Sequence, residues 1–224
     1  MHDASRRCTS VGWELRGLLI EQERELVGQV RGAAGLCVMT GGQTGVDTAA
    51  AQAALAAGLA VHLVFPRGFR QEDGPITDLR RRQLRGARLH ELASAEFRYR
   101  TWTVVYLSDA VVLLDPAGGD GCQETARAAE RLGRPLLRPG PGPVSGPELA
   151  AWLDDAGARV LAIAGCRASL LAESGTSDGV RAQVEQIVAG ARLRHVQLVG
   201  SSQDVAAAER ISGGLSEPGP GSGR

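Results

Sequence analysis

The chain has 224 residues and no lysine: all 25 of its basic side chains are arginine. That absence removes Schiff-base chemistry and the lysine-dependent phosphate loop G-x-x-x-x-G-K-[ST]. Net charge is missing too. The 25 acidic residues balance the 25 arginines, so no global positive field invites DNA or RNA. Cysteine is scarce, at positions 8, 37, 122 and 166. No two have the spacing of a zinc site or a CxxC redox pair, so no protein-held metal is expected. Histidines 2, 62, 90 and 195 form no spaced ligand set, and His62, inside an apolar run, is expected to be structural. Long apolar runs are absent as well. None approaches the roughly 20 residues of a membrane span, and the charged start, residues 1–10, precedes no secretory signal. No membrane contact and a reducing cytoplasm are the expected setting.

What remains is ordinary globular composition, 43% hydrophobic and 22% charged, in a chain long enough for one sizeable domain. Residues 11–31 carry Val11, Leu15, Leu18, Leu19, Leu26 and Val30 at mostly helical spacing, which predicts an amphipathic packing helix. Apolar strands are expected at 36–39, 59–65, 110–114, 135–137 and 159–164, with weaker ones at 88–92 and 195–199. Helices are expected at 46–57, 78–86, 95–107, 123–132, 148–156 and 179–191. Residues 67–76, 138–147 and 167–178 read as loops. Strands that are apolar on both faces and alternate with helices call for a parallel sheet covered on both sides. The expected fold is therefore α/β, a Rossmann-like open, mostly parallel sheet in a single domain. Residues 1–31 form an N-terminal extension, 32–200 the ligand-binding domain, and 201–224 a mostly flexible tail.

Two strand–glycine–helix units stand out. Leu36-Cys37-Val38-Met39-Thr40 runs into Gly41-Gly42-Gln43-Thr44-Gly45-Val46-Asp47, and Val111-Val112-Leu113-Leu114 runs towards Gly118-Gly119-Asp120-Gly121-Cys122. A tight turn of this kind leaves backbone N–H groups at the positive end of a helix dipole, where an anion is stabilised. Two such turns at one sheet edge would wall a single crevice beyond the strand ends. The dinucleotide fingerprint G-x-G-x-x-G does not fit the first turn, and residues 59–66 offer no ribose-binding acid. Backbone groups around 42–46 and 119–122 are expected to hold a phosphate, with Thr44 and Gln43 adding side-chain bonds. Asp47 serves the helix dipole or the ligand. Arg67 and Arg70, beyond the second strand, could pair with phosphate bidentately, and Glu72-Asp73 could contact a ring or ribose or order the turn. Cys122, at a helix start, is either acidified or a small packing residue. Trp102 is expected in the core.

The run Gly41-Gly42-Gln43-Thr44-Gly45-Val46-Asp47 resembles the opening signature of the molybdenum cofactor carrier family. These are Rossmann-like proteins related to the LOG/lysine-decarboxylase-like group. Pro66-Arg67-Gly68-x-Arg70-x-Glu72-Asp73-Gly74-Pro75-Ile76 is similar to a second family segment, displaced by one residue at the arginine. Arg100-Thr101-Trp102, Trp152-Leu153 and Arg159-Val160-Leu161-Ala162-Ile163-Ala164-Gly165-Cys166-Arg167-Ala168-Ser169 follow in family order, so the likeness covers about residues 36–190. The family often has arginine at Thr48, and Asn, Pro and Glu at Ala162, Cys166 and Ala168. The second loop lies nearer the P-G-G-x-G-T-x-x-E loop of LOG phosphoribohydrolases, with Cys122 for Thr and Thr125 for the acid. The resemblance implies a binding protein for a small phosphorylated ligand, a pterin or a nucleotide. Molybdenum cofactor would be the carried ligand, and the protein a homo-oligomer. On this reading the ligand-contacting residues are Gly41, Gly42, Gln43, Thr44, Gly45, Asp47, Arg67, Arg70, Gly118, Gly119, Gly121 and Cys122, with no catalytic residue and no protein metal ligand. Two alternatives stay open: a nucleoside 5′-monophosphate phosphoribohydrolase using Glu124, and a nucleotide sensor.

Overall fold

Six parallel strands form one sheet in the order Arg88–Glu91, Ala60–Phe65, Cys37–Thr40, Val160–Gly165, Ala110–Leu114 and Leu136–Leu137. The computed structural model describes residues 24–32 and 34–213. In chain order the elements are α1 (Arg24–Arg31), β1 (Cys37–Thr40), α2 (Val46–Ala56), β2 (Ala60–Phe65), β3 (Arg70–Gln71), β4 (Gly74–Pro75), α3 (Asp78–Gln83), β5 (Arg88–Glu91), α4 (Phe97–Leu107), β6 (Ala110–Leu114), α5 (Asp120–Leu132), β7 (Leu136–Leu137), α6 (Gly146–Asp155), β8 (Val160–Gly165), α7 (Ala168–Ser174) and α8 (Ser177–Gly213). The Rossmann-like α/β fold expected from sequence is therefore present. No helix among the described residues is long and apolar enough to cross a membrane.

The period of two along each strand builds two cores. Val38, Val112, Leu161 and Ile163 face one side, against α2, α6 and α8. Cys37, Met39, Val111, Val160 and Ala162 face the other, where α1, α4 and α5 supply Leu26, Val30, Trp102, Val105 and Ala128. Each fully buried Leu or Ile contributes about 1.5–3 kcal/mol of transfer free energy, and a central strand needs such residues on both faces. Alanine at 50, 51 and 54, all fully buried, lets α2 pack directly on β1, β2 and β8. His62 is buried in β2 and stacked on His90, Nδ1 to Nε2 at 3.0 Å; it is a structural residue, as the sequence suggested.

The structure corrects four local expectations. Residues 195–199 do not add an edge strand; they continue α8. Their alternation His195-Val196-Gln197-Leu198 mimics a strand, but the buried series Val180, Val184, Ile187, Val188 and Ala191 has already set a helical stripe, and propagating a formed helix is easier than ending it without a breaker. The helix also runs through part of the segment assigned to the tail. Residues 67–76 contain the β3–β4 hairpin, and 167–178 contain α7. Of the amphipathic helix over 11–31, only Arg24–Arg31 is described; the rest of that segment, and residues 214–224, lie outside the described residues.

Candidate functional site

Strands β1, β8 and β6 are adjacent and parallel, so their carboxyl ends open on one edge. The chain reverses its direction of sheet growth here: β2 and β5 add to one side of β1, and β8, β6 and β7 lie on the other. A crevice at this switch point is what the topology requires. A cavity of about 580 Å³ lies there, within the range of small-molecule sites. Gln43 and Asp47 line it from the first glycine turn, and Gly119, Gly121 and Cys122 from the second. The two turns thus stand on opposite sides of one crevice. Glu72, Arg98, Arg100, Glu124 and the end of β8 complete its wall.

The first turn is braced internally. The Gly42 amide donates to Thr40 Oγ1 at 3.3 Å, the Gln43 amide to Asp47 Oδ2 at 3.1 Å, and the Val46 amide to the Cys166 carbonyl at 3.1 Å. Thr44 Oγ1 donates to Glu72 and accepts from the Ala168 amide at 3.2 Å. Gln43 Oε1 accepts from the Glu72 amide at 2.9 Å. Glu72 also accepts from Ser169 Oγ at 2.6 Å and pairs with Arg167 at 3.4 Å. Burial opposes ionisation of Glu72, but the Ser169 and Thr44 hydroxyls and the Arg167 charge outweigh it and hold the carboxyl below its ordinary range. Of the donors expected to grip a phosphate in residues 42–46, the Gly42 and Gln43 amides are thus spent within the turn, the Val46 amide on Cys166 and the Thr44 hydroxyl on the hairpin.

Gly41 shows why the turn must lack a side chain. A Cβ there would fall inside the Arg100 guanidinium. Arg100 reaches across from α4 and pairs with Asp47 at 3.2 Å; both side chains are about nine-tenths buried or more. Burial pushes the Asp47 carboxyl up, against the opposing pull of Arg100 and the Gln43 amide. Arg100 Nε is buried without a hydrogen-bond partner. Gly45, at φ 76°, brings its backbone against Cys166 and Ala168, leaving no room for a Cβ.

The second turn is more open. Helix α5 begins after Gly119 with no side-chain cap. The Cys122 and Gln123 amides bond back to the Gly119 carbonyl, while the amides of Asp120 and Gly121 have no acceptor among the described residues. Gly118 lies beneath, its carbonyl 3.5 Å from Cys166 Sγ.

The arginines are distributed differently from the expectation. Arg67 and Arg70 are exposed and do not line the cavity. Arg70 lies in the hairpin over the Phe97 ring, 5.5 Å from its centroid, while Glu72 of the same hairpin lines the cavity. Arg98 and Arg100 of α4 line the cavity instead, with Arg167 after β8. The sequence segment around Arg100 carried no site assignment; its contact with Gly41 is 59 residues away in the chain and had no local signal.

Glu124 lines the cavity and is held by Arg98 at 2.8 Å, by Trp102 Nε1 and by Arg127. Burial opposes its ionisation, but these hydrogen bonds and charges prevail and hold the carboxyl below its ordinary range. Trp102 is core, as expected. Cys122 is not acidified: burial, with Cys166 and Asp115 beside it, pushes its thiol up. One further motif sits elsewhere. Gly175-Thr176-Ser177-Asp178-Gly179 has G-x-S-x-G spacing, but it joins α7 to α8 rather than a strand to a helix, and it is no part of the cavity wall.

Among solved structures, a candidate molybdenum carrier protein from Syntrophus aciditrophicus superposes with a TM-score of 0.56 at 22% identity, over 69% of this chain and 95% of that one. That likeness bears on the fold. No curated protein sequence matches the chain. Residues 38–190, which hold both glycine turns, the Arg100 helix and the closing β8 segment, match the pattern of one family. The chain belongs to the circularly permuted YpsA SLOG family.

Proposed function

We propose that the chain binds and carries a small phosphorylated ligand in the crevice at the ends of β1, β8 and β6. Molybdenum cofactor is the favoured cargo and a nucleotide the other. The observation that carries this reading is the pairing of an uncapped α5 N-terminus with Arg100, whose buried Nε lacks a partner in the same cavity wall. Free amides at the positive end of a helix, in one cavity with a desolvated guanidinium, suit a phosphate. The carrier reading also agrees with the name of the structurally similar Syntrophus protein. The metal would arrive with the cargo and be part of it.

Gly121 supplies the test. A Cβ there meets open space, and an acid in the first helical turn favours the helix. Gly121→Glu should therefore fold while repelling phosphate. Wild-type protein from its native host should contain a pterin, nucleotide or molybdenum by mass spectrometry. At a ligand concentration of about 100 Kd the ligand should stabilise it by about 2.7 kcal/mol, a rise in Tm that Gly121→Glu loses. Absence of all three species, with no Tm rise from any of them, refutes the reading. A phosphoribohydrolase would have to free Glu124 from donors on both its oxygens before using it. Release of free base from nucleoside 5′-monophosphates would favour that reading. Self-association in the cytoplasm belongs to the same proposal, and light scattering on the purified protein tests the oligomer.

A further inference from the structure

Two cysteines separated by 44 positions meet at the floor of the crevice. Strands β6 and β8 pair in register, Leu114 opposite Gly165, so the next residues, Asp115 and Cys166, emerge side by side. The first turn of α5 lowers Cys122 onto them. Cys122 Sγ is 3.8 Å from Cys166 Sγ, and Cys166 Sγ is 3.6 Å from Asp115 Oδ1. One ligand atom from each of the three residues lies within 4.8 Å of the others. The Gly118 carbonyl adds an oxygen 3.5 Å from Cys166 Sγ. A tetrahedral ion with metal–sulfur bonds of about 2.3 Å and metal–oxygen bonds of about 2.0–2.2 Å needs S···S near 3.8 Å and S···O near 3.6 Å. The Cys122–Cys166 and Cys166–Asp115 separations match those edges, and the third pair lies within 4.8 Å.

We propose that Cys122, Cys166 and Asp115 form a resident site for a borderline-soft divalent ion of the zinc class, with its fourth position turned to the crevice. Two thiolates select such an ion over magnesium or calcium, which prefer all-oxygen shells. Both cysteines line the cavity, which supplies the entry path and leaves room for a water or a ligand atom on the metal. Cys37 cannot contribute: it points into the core on the opposite face of the sheet, its Sγ 3.8 Å from the Val30 carbonyl. The site goes beyond the carrier reading and does not depend on it, since an ion held here needs no pterin.

The test is anaerobic titration of the reduced, full-length protein with Co²⁺, followed by displacement with Zn²⁺. Cobalt should bind at one equivalent per chain, with thiolate-to-metal charge transfer and intense tetrahedral d–d bands, and zinc should bleach them. Cys8→Ser and Cys37→Ser should bind as wild type does. Cys122→Ser and Cys166→Ser should each lose one thiolate's share of the charge transfer, and the double variant all of it. Asp115→Asn should keep the sulfur bands and bind more weakly. Circular dichroism of each variant separates loss of the site from loss of the fold. No cobalt spectrum from folded wild-type protein overturns the proposal, and so does a spectrum that survives the double substitution. Failure here leaves the phosphate reading intact, because Gly121→Glu does not remove a thiolate.

Discussion

Replacing Arg100 with leucine should cost about 3–4 kcal/mol of folding stability at pH 7. The substitution leaves the Asp47 carboxylate, about 5% exposed at its side chain, without its counter-ion. Stranding one member of a buried pair costs about 3–5 kcal/mol. Two features place this case at the lower end. The Gln43 amide still donates to Asp47 Oδ2 at 3.1 Å, and the carboxyl can escape its charge by taking a proton. For a group with an unfolded pKa near 3.9, protonation at pH 7 costs about 1.36 kcal/mol per pH unit, or about 4 kcal/mol, which caps the penalty. The cap gives a signature. In the variant the folded-state pKa of Asp47 rises further, so the folded form binds the extra proton. The stability gap to wild type must then narrow as pH falls from 7 towards 4. Urea unfolding followed by circular dichroism at pH 7, 6 and 5 measures it. Adding Asp47→Asn to Arg100→Leu should recover about 2 kcal/mol and abolish the pH dependence. If Arg100→Leu unfolds within about 0.5 kcal/mol of wild type, or its deficit is constant with pH, the ion pair does not brace the turn.

Four further outcomes follow from other residues. Burial, aided by the charges of His90 and Arg88, lowers the His62 pKa to about 4. The unfolded chain therefore binds the extra proton between about pH 6.5 and 4. Stability should fall by up to about 3 kcal/mol across that window as pH drops, and His62→Gln should flatten it in urea titrations. Cys37 is pushed up to about 12 by burial and then by Asp109, so mass spectrometry after iodoacetamide should find it unmodified in the native protein and alkylated in denaturant. Gly45→Ala should lower stability by at least about 2–3 kcal/mol in thermal unfolding, from positive-φ strain and contact with backbone at Cys166 and Ala168. Gly140→Ala, with open space around it, should change stability by less than about 0.5 kcal/mol.

The fold was legible because the signals were redundant. Ala110–Leu114 is apolar at every position and buried at every position. Short elements failed for the opposite reason. The two-residue strands at Arg70–Gln71 and Gly74–Pro75 pair only with each other, and a two-residue period cannot be seen. The site was half legible. Glycine turns announce themselves locally, so Gln43, Asp47 and residues 119–122 could be placed at one edge. Arg100, Arg98 and the Cys122–Cys166 contact arise from elements distant in sequence, and only the pairing of β8 between β1 and β6 brings them together. Spacing rules for metal ligands and ion pairs look along the chain, and these partners meet across it.

The division of labour between the two turns explains why similar glycine runs end in different states. In the first, two donors are already answered by the protein: Asp47 takes the Gln43 amide, and the Cys166 carbonyl takes that of Val46. Glu72 adds a second carboxylate by holding Thr44 and Ser169. An incoming phosphate would have to displace one of these carboxylates or sit beside two of them, and like charge at short range is costly in a desolvated site. In the second, Gly119 offers no side-chain cap, and the nearest carboxylate on the cavity wall beyond the exposed Asp120 is Glu124, whose charge is met by Arg98 and Arg127. The first turn therefore fixes Arg100 in position, and on the proposed reading the second would receive the phosphate. Mutations in residues 41–47 should act mainly through stability, and mutations at 119–121 mainly through ligand affinity. Comparing Tm with and without ligand for Gly45→Ala and Gly121→Glu separates the two roles. If Gly121→Glu lowers the Tm of the ligand-free protein as much as Gly45→Ala does, that assignment is wrong.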